Sequence, residues 1–153
     1  MKFYDSKYGL LLELSEEVAA AVKKQALQAF PNETGGFLVG RYSDDGKSAI
    51  VEMVIAPPKS VAGPTSYQRE TDGMNVLWDK LYDEGLIFLG EWHSHPQGSA
   101  SYSSTDKTAM TNIATCKTVV IKNPIMLIVA LSKKKVYQTK AYYYSNGDIV
   151  EYE

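Results

Sequence analysis

With 153 residues the chain can bury one sizeable core and is short for two. Its 44% apolar and 22% charged residues lie close to globular averages, and sixteen basic residues against eighteen acidic ones leave a net charge of −2, which excludes an overall basic footprint for nucleic acid. The single cysteine, Cys116, excludes an internal disulfide and any cysteine cluster around zinc, and no apolar run approaches the length of a membrane span.

Lys2-Phe3-Tyr4-Asp5 follows Met1 with no apolar signal region, so a reducing, cytoplasmic setting is the expectation. Residues 9–13 carry a leucine run and read as a first short strand. Ser15-Glu16-Glu17 then opens a helix, with Val18, Val22, Ala26 and Phe30 at helical spacing and Pro31-Asn32 as its stop. Phe37-Leu38-Val39-Gly40 is a buried strand, residues 44–47 are a turn, and residues 49–56 form a second strand paired with the first as a hairpin. Residues 57–64 read as loop. Residues 71–82 form a second helix that gathers Met74, Leu77, Trp78 and Leu81 on one face and ends at Gly85. A strand over 86–92 runs directly into His93. A serine-rich loop over 98–104 precedes a third helix over 105–115. Near its end Cys116 reads as a small buried residue. Strands over 125–131 and 136–144 close the fold, with the Lys133-Lys134-Lys135 turn between them and a short tail strand after Asn146-Gly147. In Tyr142-Tyr143-Tyr144, alternation on a half-buried edge strand exposes Tyr143 or its two neighbours. Helices interspersed with hairpins predict an α/β (α+β) fold, a mixed sheet with helices packed on it.

The chemistry concentrates around Gly90-Glu91-Trp92-His93-Ser94-His95-Pro96, which holds both histidines of the protein. At i and i+2 on a strand, His93 and His95 project to the same side, while Ser94 points away. Neutral imidazole is the common nitrogen ligand of zinc, and Asp106, eleven residues beyond His95, could complete a three-ligand site with one open position for water. Asp106 is also the acid of a Ser103-Ser104-Thr105-Asp106 capping box. Glu33 precedes two glycines and an apolar strand, a setting that lets a substrate or another backbone approach closely. Other metal motifs are absent. There is no His-Glu-x-x-His helix, no Pro-Cys-x-x-Cys pair as in zinc deaminases, and the chain falls short of the roughly 250 residues of a (β/α)8 barrel.

Together Glu33, His93-Ser94-His95-Pro96, Ser103 and Asp106 resemble the JAMM motif: a distant Glu, then His-x-His-Pro, six residues, Ser, two residues, Asp. Here the six are residues 97–102. The family is the MPN (JAB1/MPN/Mov34) domain of zinc metalloproteases. Glu33-Thr34-Gly35-Gly36 with Gly40, and Gly90-Glu91-Trp92, look like its compact prokaryotic branch. The resemblance covers essentially residues 1–153 and implies a single MPN-like domain, a curved mixed sheet flanked by about three helices. It implies that His93, His95 and Asp106 hold Zn2+, that Glu33 is general base and then acid, and that Ser103 donates a hydrogen bond to the tetrahedral oxyanion. A helix N-cap competes for the Ser103 hydroxyl, and Ser104 is expected to take that duty.

The substrate implied is a peptide or isopeptide bond after the extended C-terminus of a ubiquitin-like protein, as in bacterial conjugation or antiphage operons. Thr34, Gly35 and residues 61–67 are expected to wall the cleft, with the tail held by strand addition at a sheet edge. Two alternatives use the same residues: processing of a sulfur-carrier protein's C-terminus, and a non-catalytic MPN binding module. Modules of that kind typically lose one or more motif residues, and this chain has lost none. No nucleic-acid or membrane partner is expected, and the oligomeric state is open.

Overall fold

The computed structural model describes residues 1–57, 59–62, 67–70, 74–117, 119, 121 and 123–153, with backbone alone at 59–62 and 67–70. Its scaffold is an eight-stranded mixed sheet in the order β1-β2-β4-β3-β7-β8-β9-β10. The strands are β1 (Lys2–Asp5), β2 (Leu10–Leu14), β3 (Gly35–Tyr42), β4 (Ser48–Ile55), β7 (Ile87–His95), β8 (Ile125–Ser132), β9 (Lys135–Ser145) and β10 (Asp148–Glu151). The pairs β2–β4 and β7–β8 are parallel and the others antiparallel. A separate two-stranded sheet joins β5 (Lys59–Ala62) to β6 (Tyr67–Glu70). Strand β1 and this small sheet escaped the sequence pattern. Part of the expected 57–64 loop is strand, while residues 58, 63 and 64 lie outside the described residues.

Helix α1 (Glu16–Ala29) covers one face of the sheet. Ser15 caps it by accepting from the Val18 amide at 3.2 Å. Its buried stripe is Val18, Val22 and Ala26, packed with Leu12, Leu14, Leu127 and Val129. Burial of each valine contributes about 1.5–3 kcal/mol. The opposite face carries α2 (Asn75–Asp83) and α3 (Ser104–Thr115). Met74, Leu77, Trp78 and Leu81 pack on Phe37, Val39 and Phe88, as the helical spacing predicts. The described helix begins at Asn75, and residues 71–73 of the expected span lie outside the described residues. Gly85 follows it with φ +80°.

Strand β8 shows why the sequence reads as an unbroken apolar run. Ile125, Leu127, Val129 and Leu131 join the α1 core, while Met126, Ile128 and Ala130 join the core beneath α3. A strand buried on both faces has no polar side to alternate. The same covering corrects the tyrosine expectation. Tyr142 is 2% exposed and Tyr143 1%, because β9 is flanked by β8 and β10 and takes side chains onto both faces. Tyr143 donates to the buried Asp5 at 2.6 Å, and burial holds its hydroxyl above the ordinary tyrosine range. Cys116 is also a correction. It is exposed at the C-cap of α3, whose one buried residue is Met110. The lysine turn does behave as a solvated hairpin loop. Lys133 and Lys134 both take positive φ (50° and 61°) between the paired Ser132 and Lys135.

Bulges at Val39/Gly40, Leu38/Val39 and Ala130/Leu131 add twist, and the sheet curls until its ends meet. Glu153, just past β10, exchanges backbone hydrogen bonds with Tyr4 of β1 at 2.7 and 3.4 Å. Among the described residues no helix is long and apolar enough to cross a membrane.

Candidate metal centre

The centre of the sheet sets the histidines. Gly90 has φ +155°, and a Cβ there would lie 1.9 Å from the Ile125 carbonyl oxygen, so only glycine lets β8 approach at this point. From that contact the parallel register continues, with His93 opposite Ile128 and His95 opposite Ala130. Both imidazoles project from the face that carries α3. Ser94 points the other way and is fully buried.

Helix α3 starts above this pair. Ser103 is its N-cap, accepting from the Asp106 amide at 3.1 Å, while Asp106 Oδ2 accepts from the Ser103 amide at 2.8 Å. The cap therefore falls to Ser103 and not to Ser104, which is the first helical residue. A hydroxyl has one donor and two acceptor sites. Capping uses an acceptor site and leaves the proton free to donate elsewhere, so the conflict expected from the sequence does not arise.

Three side chains converge. His93 Nε2 and His95 Nε2 are 3.1 Å apart, His93 Nε2 lies 3.2 Å from Asp106 Oδ1, and His95 Nε2 lies 3.5 Å from Asp106 Oδ2. A tetrahedral ion with bonds of about 2.0–2.1 Å holds its ligand atoms about 3.3–3.4 Å apart. The spacing and the two-nitrogen, one-oxygen donor set fit one such ion. The side chains are only 14–15% exposed, shielded yet reachable. The tautomer also suits. Ser99 C=O lies 2.8 Å from His95 Nδ1 and can only accept, so Nδ1 carries the proton and Nε2 presents its lone pair to the centre. Sequence reasoning could not find Ser99, because a backbone carbonyl leaves no signature in residue type.

Electrostatics agree. Burial penalises the Asp106 carboxylate, but the adjacent His93 and His95 outweigh it and hold the carboxyl far below its usual range. Burial lowers the His95 pKa, and Asp106 and Ser99 more than reverse that. Glu33, half-buried in the segment between α1 and β3, has its pKa raised, chiefly by burial and against the pull of His93 and His95. Its carboxyl thus senses His93, His95 and Asp106, all distant in sequence. The Thr34 amide donates to Ser94 Oγ at 3.0 Å, and the Ser94 amide donates to Thr34 C=O at 2.8 Å. Gly35 continues this pairing opposite His93. Of the other expected cleft wall, residues 63–66 lie outside the described residues.

The fold is that of the JAB1/MPN proteins. A JAB1/MPN domain protein from Archaeoglobus fulgidus superposes with a TM-score of 0.55 at 19% identity, covering 92% of this chain and 94% of that one. A protein from Desulfitobacterium hafniense superposes with a TM-score of 0.67 at 23% identity over 92% of this chain and 88% of its own. The family described as prokaryotic homologues of the JAB domain matches residues 15–142, and the chain belongs to it. Among relatives, a CD-NTase/cGAS isopeptidase of Enterobacter hormaechei subsp. hoffmannii is 36% identical over 136 residues, 88% of this chain and 76% of that one. A probable metalloprotease of Sinorhizobium fredii is 25% identical over 77% of this chain and 74% of its own.

Proposed function

We propose that the protein is a zinc-dependent isopeptidase that cleaves after the C-terminal tail of a ubiquitin-like protein or its conjugate. The carrying observation is the triad of ligand atoms from His93, His95 and Asp106 at tetrahedral spacing. These three residues would hold Zn2+, which when bound polarises a carbonyl and lowers the pKa of a coordinated water from about 15.7 toward 7. Glu33 accepts a proton from the attacking water and passes it to the departing lysine amine. Its raised pKa suits a group that must both take and return that proton. The Ser103 hydroxyl donates to the oxyanion of the tetrahedral intermediate while still capping α3.

The tail lies extended past Thr34 and Gly35. An added strand finds an edge on the separate β5–β6 sheet. The similarity to a CD-NTase/cGAS isopeptidase supports a conjugate of a CD-NTase or cGAS-like protein as the substrate class. A chain whose one cysteine is exposed fits work in the reducing cytoplasm.

The test is cleavage of a fusion in which a ubiquitin-like tail is joined to a reporter lysine. Cleavage is expected to stop on chelation and to return with zinc. Purified protein lacking stoichiometric zinc at neutral pH, or cleavage that survives chelation, overturns the reading.

A further inference from the structure

Residues 96–103 link the two halves of the centre, and their composition argues against order. Gln97, Gly98, Ser99 and Ser101 are small or polar and exposed. Ala100, like Pro96, is buried, and it packs among Met110, Met126, Ile128 and Tyr142. Both of its backbone polar groups are met by side chains of β9. The Ala100 amide donates to Gln138 Oε1 at 3.0 Å, and the Tyr142 hydroxyl donates to Ala100 C=O at 2.9 Å. Gln138 and Tyr142 are four apart on the strand and so share a face, opposite Ala130 and Met126 of β8.

The Ala100 N–H belongs to the same amide as the Ser99 carbonyl. That unit is planar and trans, so the two groups point in opposite directions. Gln138 grips one end, and at the other Ser99 C=O accepts from His95 Nδ1 at 2.8 Å. Gln138, the amide and the imidazole form one line of hydrogen bonds ending at a ligand nitrogen. By accepting from the N–H, Gln138 pushes electron density through the amide toward the Ser99 oxygen and makes it a better acceptor, and fixing the plane fixes the ring.

We propose that Gln138 is a positioning residue for the metal ligand His95, acting through the Ser99–Ala100 amide. The inference rests on reading the centre as a zinc site. Three variants and a direct zinc-affinity measurement test it, by chelator competition on protein whose folding is checked by thermal unfolding of the metal-free form. Gln138→Leu keeps bulk and removes the acceptor, and zinc affinity is expected to fall about tenfold. Gln138→Asn, milder on folding, withdraws the oxygen by one methylene and is expected to weaken zinc similarly. Gln138→Glu keeps an acceptor at the same reach and is expected to retain most of the affinity. Unchanged affinity in the Leu and Asn variants overturns the inference, as does a Glu variant as weak as the Leu one. A parent that binds no zinc instead overturns the reading of the centre.

Discussion

His93 and His95 sit on a strand paired with β3 on one side and β8 on the other, and their separation follows from the pleat. Glu33 and Ser103 stand outside any ladder, one in the segment before β3 and one at the cap of α3. The strand pair cannot shift without breaking many backbone bonds together. Each of these two groups depends instead on a few tethers: Thr34 on Ser94 for Glu33, and the reciprocal cap with Asp106 for Ser103. The two histidines proposed to bind the ion and the residues proposed to do chemistry beside it therefore have different mechanical supports. Damage to the Glu33 tether should cost turnover before it costs metal.

The sharpest contrast comes from Glu33→Gln. Loss of a general base is expected to lower kcat by about 10²–10⁴-fold, while zinc content stays that of the parent, since Glu33 is not among the grouped ligand residues. Parallel measurements of turnover and metal stoichiometry check this, and loss of zinc in the variant would remove the division of labour. Ser103→Ala comes next. Removing the oxyanion donor is expected to cost about 10²–10³ in kcat, and losing the cap about 1 kcal/mol of stability, a fall of roughly 2–4 °C in Tm. Ser103→Thr keeps both the acceptor and the donor and should recover most of each. If alanine lowers Tm and leaves kcat intact, Ser103 is a cap and nothing more.

The same division explains what the sequence disclosed. The histidine pair and the helix stripes depend on local periodicity, which residue types record directly. The i, i+2 spacing of His93 and His95 and the Val18, Val22, Ala26 stripe were readable for that reason. Tyr142 and Tyr143 were misjudged because alternation assumes one wet face, and only the tertiary arrangement covers both. Cys116 was misjudged because the helix it follows buries little, and it falls just beyond the last turn. The two roles of Ser103 conflict only if capping and donation are one use of the hydroxyl, and its accepting and donating sites are distinct. Strand β1 is a four-residue run stabilised by pairing with β2 and by the far end of the chain, neither of which its own residues specify. Ser99 and Gln138 matter through a backbone amide and were invisible for that reason.

The smallest expected effect separates strand from tether most cleanly, because the mutated residue lies between the two histidines. Ser94 is fully buried, and its hydroxyl accepts from the Thr34 amide, sixty residues away in sequence. Ser94→Ala leaves that amide without its acceptor, at a cost of about 1–3 kcal/mol. The backbone bond from the Ser94 amide to Thr34 C=O survives, so the segment is loosened rather than released. Zinc affinity is expected to match the parent, because the ladder bonds that place His93 and His95 are untouched. Turnover is expected to fall about tenfold through displacement of Glu33. A competition titration with a chelator and a steady-state assay on the same preparation read both quantities. A fall in zinc affinity with turnover per bound zinc unchanged would mean that the strand, and not the tethered segment, is the compliant half of the centre.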